Sequence, residues 1–204
     1  MSFAQTVFSH IWRGTAGRVD YILGELKERL FKEAYGTVVE IGPGTGVNFK
    51  YFSGAVLSWI GVEPNEGLRG VLRRSPNLPP RAVICSDVSD VGDRTADTVV
   101  SSIVLCSVPD LPLFLGEIRR ILKPGGIFLS LEHVGAPHKT FHRRIQRLVK
   151  PVVRWVGGGC EPDRDIEDAV RAAGFANVTL VWQGSFQLSR VPFKVPFVAL
   201  RAIA

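Results

Sequence analysis

The sequence predicts an α/β fold: a doubly wound, mostly parallel seven-stranded sheet with helices on both faces and an antiparallel edge. Three observations predict it. Short apolar, β-branched runs alternate with helical patterns along most of the chain, as strand–helix–strand units do. A glycine-rich turn, Gly42 to Gly46, directly follows the first of those runs. The last two runs, Val178–Trp182 and Val195–Ile203, have no helix between them, so they pair as an antiparallel edge.

Residues 18–34 place Val19, Ile22, Leu23, Leu26, Leu30 and Phe31 on one helical face, with Gly36 as its C-cap. Thr37–Ile41 is a buried strand, and Val47–Tyr51 opens a helix after the glycine turn. Val56–Val62 is the second strand, ending at Glu63-Pro64-Asn65. A helix over Leu68–Arg74 is stopped by Ser75-Pro76 and the Pro79-Pro80 pair. Ala82–Cys85 and Thr98–Val104 are the third and fourth strands. Leu113–Leu122 is a helix ended by Lys123-Pro124-Gly125-Gly126, and Ile127–Glu132 is the fifth strand. A basic helix over 140–155, a break at Gly157–Gly159 and a helix over 163–173 stopped by Gly174 precede the last two strands.

With 204 residues, 46% hydrophobic and 22% charged, the chain suits one ordered domain and excludes a disordered one. It divides into an N-terminal helical cover (1–35), a ligand-binding core (36–132), a basic lid-helix insertion (133–160), and a C-terminal helix with edge strands (161–204). The three cysteines, Cys85, Cys106 and Cys160, lack CxxC spacing and cannot all pair, so reduced thiols, an intracellular setting and no metal site are expected. A net charge of +6 is compatible with anionic lipid, nucleic acid or an acidic substrate. No apolar run approaches the roughly 18 residues of a membrane span. The apolar C-terminal end is interrupted by Arg190, Pro192, Lys194 and Pro196. The N-terminus has no signal-peptide core, and the expected location is cytoplasmic or peripheral to a membrane.

Three polar stations stand at the carboxyl ends of successive strands, the edge where open α/β sheets bind ligands. At the first, Gly42, Gly44 and Gly46 supply a tight turn and a backbone close enough to touch a ligand. At the second, the Glu63 carboxylate can accept both hydroxyls of a ribose, or can be a solvated strand-end acid. At the third, Asp87 can accept from an adenine amino group while the next N–H meets a ring nitrogen, or can form a simple Asx turn.

Val38-Val-Glu-Ile-Gly-Pro-Gly-Thr-Gly46, Gly61-Val-Glu-Pro64 and Leu122-Lys-Pro-Gly-Gly126 resemble the ordered motifs of class I methyltransferases. The resemblance implies a Rossmann-like core that binds S-adenosyl-L-methionine. In it, Glu40, Gly42, Gly44 and Gly46 line the methionine portion, Glu63 the ribose, and Asp87 with Val88 the adenine. Pro43, Asn48, Pro64 and Asn65 stand beside them in the cofactor site. Leu105, Cys106 and Ser107 lie near the transferring methyl.

Gly44-Thr-Gly-Val-Asn-Phe-Lys50, Val104-Leu-Cys-Ser-Val108, Leu131-Glu-His-Val134 and Gly159-Cys160 resemble, more narrowly, the methyltransferase-like alkyl-thiol S-methyltransferase family, known from membrane-associated animal enzymes. That implies a small lipophilic acceptor, with a thiol favoured. An amine or phospholipid N-methyltransferase and a non-catalytic binding protein stay open, the latter disfavoured by intact Glu63 and Asp87. The animal proteins' hydrophobic N-terminal anchor has no counterpart, so integral membrane attachment is not expected. No Asn/Asp-Pro-Pro-Tyr-type motif follows the fourth strand, and nucleic acid is not an expected partner.

His133, beside Glu132 at the end of the fifth strand, is the candidate base or substrate-binding pair, with a structural strand-end histidine as the alternative. Cys106 reads as a pocket wall and Cys160 as a neighbour of the pocket; His138 and His142 read as surface residues. Phe141, Ile145, Leu148, Val152 and Trp155 recur at helical spacing among Arg143, Arg144, Arg147, Lys150 and Arg154, with Pro151 as a kink. Such a helix closes an acceptor pocket as a lid, or lies on an anionic membrane. A lid with peripheral membrane contact is expected, with Phe3, Phe8, Ile11 and Trp12 completing the cover.

Overall fold

The computed structural model describes residues 3–79, 81–187 and 194–204. Pro80, Arg190, Pro192 and the side chain of Phe3 lie outside the described residues. The apolar runs form seven strands: β1 (Gly36–Ile41), β2 (Val56–Val62), β3 (Val83–Cys85), β4 (Ala96–Ser102), β5 (Leu122–His133), β6 (Asn177–Phe186) and β7 (Val195–Ile203). They make one sheet in the order β3-β2-β1-β4-β5-β7-β6. The first five run parallel, and β7 lies antiparallel to both β5 and β6.

Among the described residues five α-helices cover the sheet: α1 (Phe3–Phe31), α2 (Glu66–Leu72), α3 (Leu111–Ile121), α4 (Phe141–Val156) and α5 (Ile166–Ala172). Strands buried on both faces must be apolar at consecutive positions, and Val38 and Val39, or Phe128 and Leu129, serve opposite cores. One core sets Val39, Val99 and Phe128 beneath Leu115 and Ile118 of α3 and Val170 of α5. The other sets Val38, Trp59 and Leu129 beneath Leu23, Leu26, Leu30 and Phe31 of α1. The strand order reverses between β1 and β4, and the carboxyl ends of the strands at such a reversal are the usual ligand position in open α/β sheets.

Three local expectations change. Gly36 does not cap α1, which ends at Phe31; it enters β1 at φ +65°, and any Cβ there would collide with Asp97. The expected helix over 47–51 tightens to a single 3-10 turn, Phe49–Tyr51. The lid expectation for the basic helix is reversed in orientation. Arg143 and Gln146 face inward, while Phe141, Leu148, Val152 and Trp155 remain 74%, 80%, 64% and 54% exposed. Hydrogen bonding explains this. The Arg143 guanidinium donates to both Asp165 carboxylate oxygens at 2.9 and 2.7 Å and to the Ala136 carbonyl, and Gln146 bridges the Ala136 N–H and the Val134 carbonyl. Charged groups are buried when they are paired, and here that pairing outweighs burial of the apolar stripe.

Candidate active site

The glycine loop leaves β1 with Gly42, Gly44 and Gly46 at φ +61°, +60° and +81°. A Cβ on Gly42 would stand 2.6 Å from Val104 Cγ2, so this turn packs directly on the loop after β4. A Cβ on Gly44 would stand 2.8 Å from Trp12 Nε1, which puts the first half of α1 over the loop. Glu63, buried at the end of β2, accepts from the Gly44 N–H at 3.0 Å and the Asn65 N–H at 2.9 Å. Each of its oxygens retains a lone pair for a hydroxyl donor. Burial raises its pKa above the usual carboxylate value.

Glu40 is fully buried behind the loop, accepting from Asn48 Nδ2 at 2.8 Å and Trp59 Nε1 at 3.0 Å. Burial lifts its pKa to about 7, against the pull of those two donors and of Lys27. The buried Asn48 Oδ1 has no hydrogen-bond partner. A desolvated carboxylate, hydrogen-bonded but without a direct ion-pair partner, beside an orphaned amide oxygen has the chemistry to receive an ammonium group, which fits the amino-acid end of S-adenosylmethionine. The sign of the pH dependence follows. Glu40 contributes most to stability below pH 4.5, its unperturbed value, and that contribution is lost as pH rises to about 7. A cation bound against it favours the ionised form, so binding of S-adenosylhomocysteine should release roughly half a proton near pH 7, approaching one near pH 6. Titration calorimetry in buffers of different ionisation enthalpy reads this directly. No proton release would separate Glu40 from the ligand's amino group.

On the other side of the Gly42 contact, β4 is followed by Ile103 at φ +58°, a strained conformation for a β-branched residue. Glu132 holds the turn that follows. Its fully buried carboxylate accepts from Ser101 Oγ at 2.9 Å, the Val104 N–H at 2.8 Å and the Leu105 N–H at 3.2 Å. Burial pushes its pKa well above the ordinary carboxylate range. From the other side, the Glu161 N–H donates to the Cys106 carbonyl at 2.9 Å, and Arg164 Nη1 donates to the Leu105 carbonyl at 2.8 Å. The loop over 103–107 is thus tied at both flanks.

That anchoring brings together three side chains from distant parts of the chain. The ligand-type atoms of Cys106, His133 and Cys160 lie within 4.8 Å of one another, with His133 Nε2 3.1 Å from Cys160 Sγ. The Cys160 thiol beside it draws the Cys106 pKa well below its ordinary value despite burial, and the Cys160 pKa rises in turn. Burial is the largest single influence on His133 and lowers its pKa, but the charge of Cys106 and its hydrogen bond together outweigh burial and raise the net value.

The sequence-predicted residues therefore divide. Glu40, Pro43, Gly44, Asn48, Glu63 and Asn65 gather around the glycine loop, most of them buried. Pro64 is exposed beside them. Asp87 is exposed and caps its own 3-10 turn, accepting from the Ser89 N–H and hydroxyl at 2.9 and 2.8 Å; these bonds lower its pKa. Val88 is buried beneath it. Leu105, Cys106 and Ser107 directly follow Val104, whose side chain packs on Gly42. Glu132 and His133 diverge: the carboxylate is occupied by the loop, and the imidazole faces two sulfurs. Ile103, Glu161 and Arg164 had no signal in the sequence, and the spacing of Cys106, His133 and Cys160 gave no hint of their convergence.

A doubly wound sheet with a glycine loop and a strand-end acid at its switch point defines a nucleotide-type cofactor-binding fold. The chain belongs to the methyltransferase domain family, whose sequence model matches residues 15–180. It is 31% identical over 153 residues to thiol S-methyltransferase TMT1B of Rattus norvegicus, covering 72% of this chain and 63% of that protein. It is likewise 31% identical to thiol S-methyltransferase TMT1A of Homo sapiens, covering 71% of this chain and 62% of that protein. The chain thus spans less than two thirds of the length of these curated relatives. Among solved structures, the YcgJ protein of Bacillus subtilis superposes with a TM-score of 0.70 at 16% identity, covering 90% of this chain and 98% of that one. A SAM-dependent methyltransferase of Thermotoga maritima gives 0.66 at 21% identity, covering 97% and 98%. At these identities the likeness is one of fold.

Proposed function

We propose that this chain is an S-adenosylmethionine-dependent methyltransferase acting on a small lipophilic acceptor, with a thiol favoured. The observation that carries this reading is the packing of the glycine loop, through Gly42, on Val104 of the tied loop over 103–107, the loop that also holds Cys106 near His133 and Cys160. Glu40 and Asn48 would receive the amino group, Glu63 the ribose, and Val88 the adenine ring. When bound, the cofactor supplies an electrophilic methyl group on a sulfonium sulfur. The protein's work is then positioning and the exclusion of water. The printed activity of the TMT1 relatives supports a thiol over an amine acceptor. Calorimetric titration with S-adenosylhomocysteine, followed by transfer assays on matched alkyl thiols, amines and phenols, tests the reading. Micromolar binding with turnover of the thiol series is expected; absence of binding would end it.

The outward stripe of α4 favours a second element, contact with an anionic membrane surface. Phe141, Leu148, Val152 and Trp155 are exposed, with Arg144, Arg147 and Arg154 around them. Such a face binds lipid through apolar insertion and charge together. Among the described residues no helix is long and apolar enough to cross a membrane. Co-flotation with phosphatidylserine-containing vesicles is expected, falling roughly tenfold for Leu148→Glu combined with Val152→Glu. Equal retention of the double variant would remove the membrane from the reading.

A further inference from the structure

Cys106, His133 and Cys160 come from the loop after β4, the end of β5 and the turn after α4, and each is fixed by its neighbours. Glu132 holds the Cys106 loop from within, the Glu161 N–H closes on the Cys106 carbonyl, and His133 stands edge-on to Phe197 at 6.1 Å between ring centres. The imidazole is under-satisfied on one side: it is buried, Nδ1 has no hydrogen-bond partner, and Nε2 lies 3.1 Å from the Cys160 sulfur with Cys106 also beside the ring. Two sulfurs and one imidazole nitrogen within 4.8 Å are more than a pocket wall requires. Metal–sulfur bonds of about 2.3 Å and metal–nitrogen bonds of about 2.0 Å place tetrahedral donors roughly 3.5–3.8 Å apart. The widest separation in the trio, at most 4.8 Å, exceeds that spacing by about 1 Å.

We propose that Cys106, His133 and Cys160 form a three-ligand site for a thiophilic divalent cation, zinc being the common case, whose fourth position receives the acceptor's thiol sulfur. Two thiolates and an imidazole select soft tetrahedral ions, and a site with three protein ligands keeps one position open. Loading the ion releases the thiol protons of Cys106 and Cys160 to solvent, and two metal–sulfur bonds form. The acceptor's own thiol proton leaves to solvent as its sulfur ligates, so a thiolate is present near neutral pH without a dedicated base. Transfer then forms one sulfur–carbon bond at the acceptor and breaks the donor's sulfonium carbon–sulfur bond, whose electron pair stays on the departing sulfur. The resulting thioether is a poor ligand and leaves. The metal site stands on the geometry alone; the role of its fourth position rests on the methyltransferase reading.

The test is anaerobic titration of the reduced full chain with cobalt(II), then zinc(II). One equivalent of cobalt is expected, with the visible bands of a tetrahedral ion and thiolate-to-cobalt charge transfer. Both should disappear in Cys106→Ser and Cys160→Ser and persist in Cys85→Ser, a cysteine outside the trio. X-ray absorption of the wild-type zinc form should count two sulfurs and one nitrogen, an observation that needs no variant to fold. A short alkyl thiol should shift the charge-transfer band, while the amine of equal length leaves it unchanged. Substoichiometric cobalt, or a spectrum indifferent to Cys106→Ser and Cys160→Ser, overturns the site even where S-adenosylhomocysteine still binds. A Cys106–Cys160 disulfide with no metal uptake after reduction overturns it equally. Cobalt binding without S-adenosylhomocysteine binding removes the acceptor's part alone.

Discussion

Glu132→Ala is expected to lower the unfolding free energy by about 3 kcal/mol or more. The substitution strips an acceptor from the Ser101 hydroxyl and from the Val104 and Leu105 N–H groups. A buried donor left without a partner costs roughly 1–3 kcal/mol, and the strained Ile103 backbone loses the restraint that follows it. Removing a desolvated carboxylate returns part of this, so the figure lies below the sum of the three. A drop in the urea midpoint at unchanged slope reads the effect. Glu132→Gln separates structure from chemistry. Its amide oxygen can accept from both N–H groups while its amide nitrogen donates to Ser101, so stability should stay within about 1 kcal/mol of wild type. Methyl transfer should also be largely retained. A Gln variant that folds normally but no longer transfers would make Glu132 a proton-transfer residue rather than the anchor of its loop.

Glu63→Ala is expected to weaken S-adenosylhomocysteine binding more than tenfold, each factor of ten being about 1.4 kcal/mol. The carboxylate both fastens the Gly44 and Asn65 N–H groups and offers the lone pairs that a ribose would use. Calorimetry with the 2′-deoxy ligand distinguishes the two contributions. If the ribose is held, wild type prefers the full ligand and the Ala variant loses that preference, as a coupled pair does in a double-mutant cycle. An affinity unchanged by Glu63→Ala would displace the ribose from this acid.

The sheet was legible because burial on both faces imposes consecutive apolar residues on parallel strands, and β1, β2, β4 and β5 carry them. The glycine turn and Glu63 were legible as neighbours because both stand at strand carboxyl ends, and the Gly44 N–H does donate to Glu63, whereas Asp87 caps its own turn. What escaped was governed by pairing across the chain. Lys27 and Asp20 sit on α1 as ordinary polar residues in one dimension, yet they form a buried ion pair at 2.9 Å. Arg143 likewise turns α4 inside out through Asp165, which lies in a different segment. An amphipathic pattern reports the cost of burying each side chain alone and omits the partner that cancels it. The Cys106–His133–Cys160 cluster escaped for the same reason: three isolated residues carry no spacing rule until the sheet assembles them.

Trp12 lies against Gly44 and stacks on Phe8, with ring centres 6.2 Å apart. Of the four tryptophans, Trp155 faces outward and Trp182 stacks on Phe186 at the far strand, while Trp12 lies against the glycine loop and the buried Trp59 donates to Glu40 behind it. Indole emission follows the polarity around the ring, and filling the loop changes that polarity for Trp12 directly and for Trp59 through Glu40. The chain thereby carries an intrinsic optical gauge of its own occupancy, readable in stopped flow without a label.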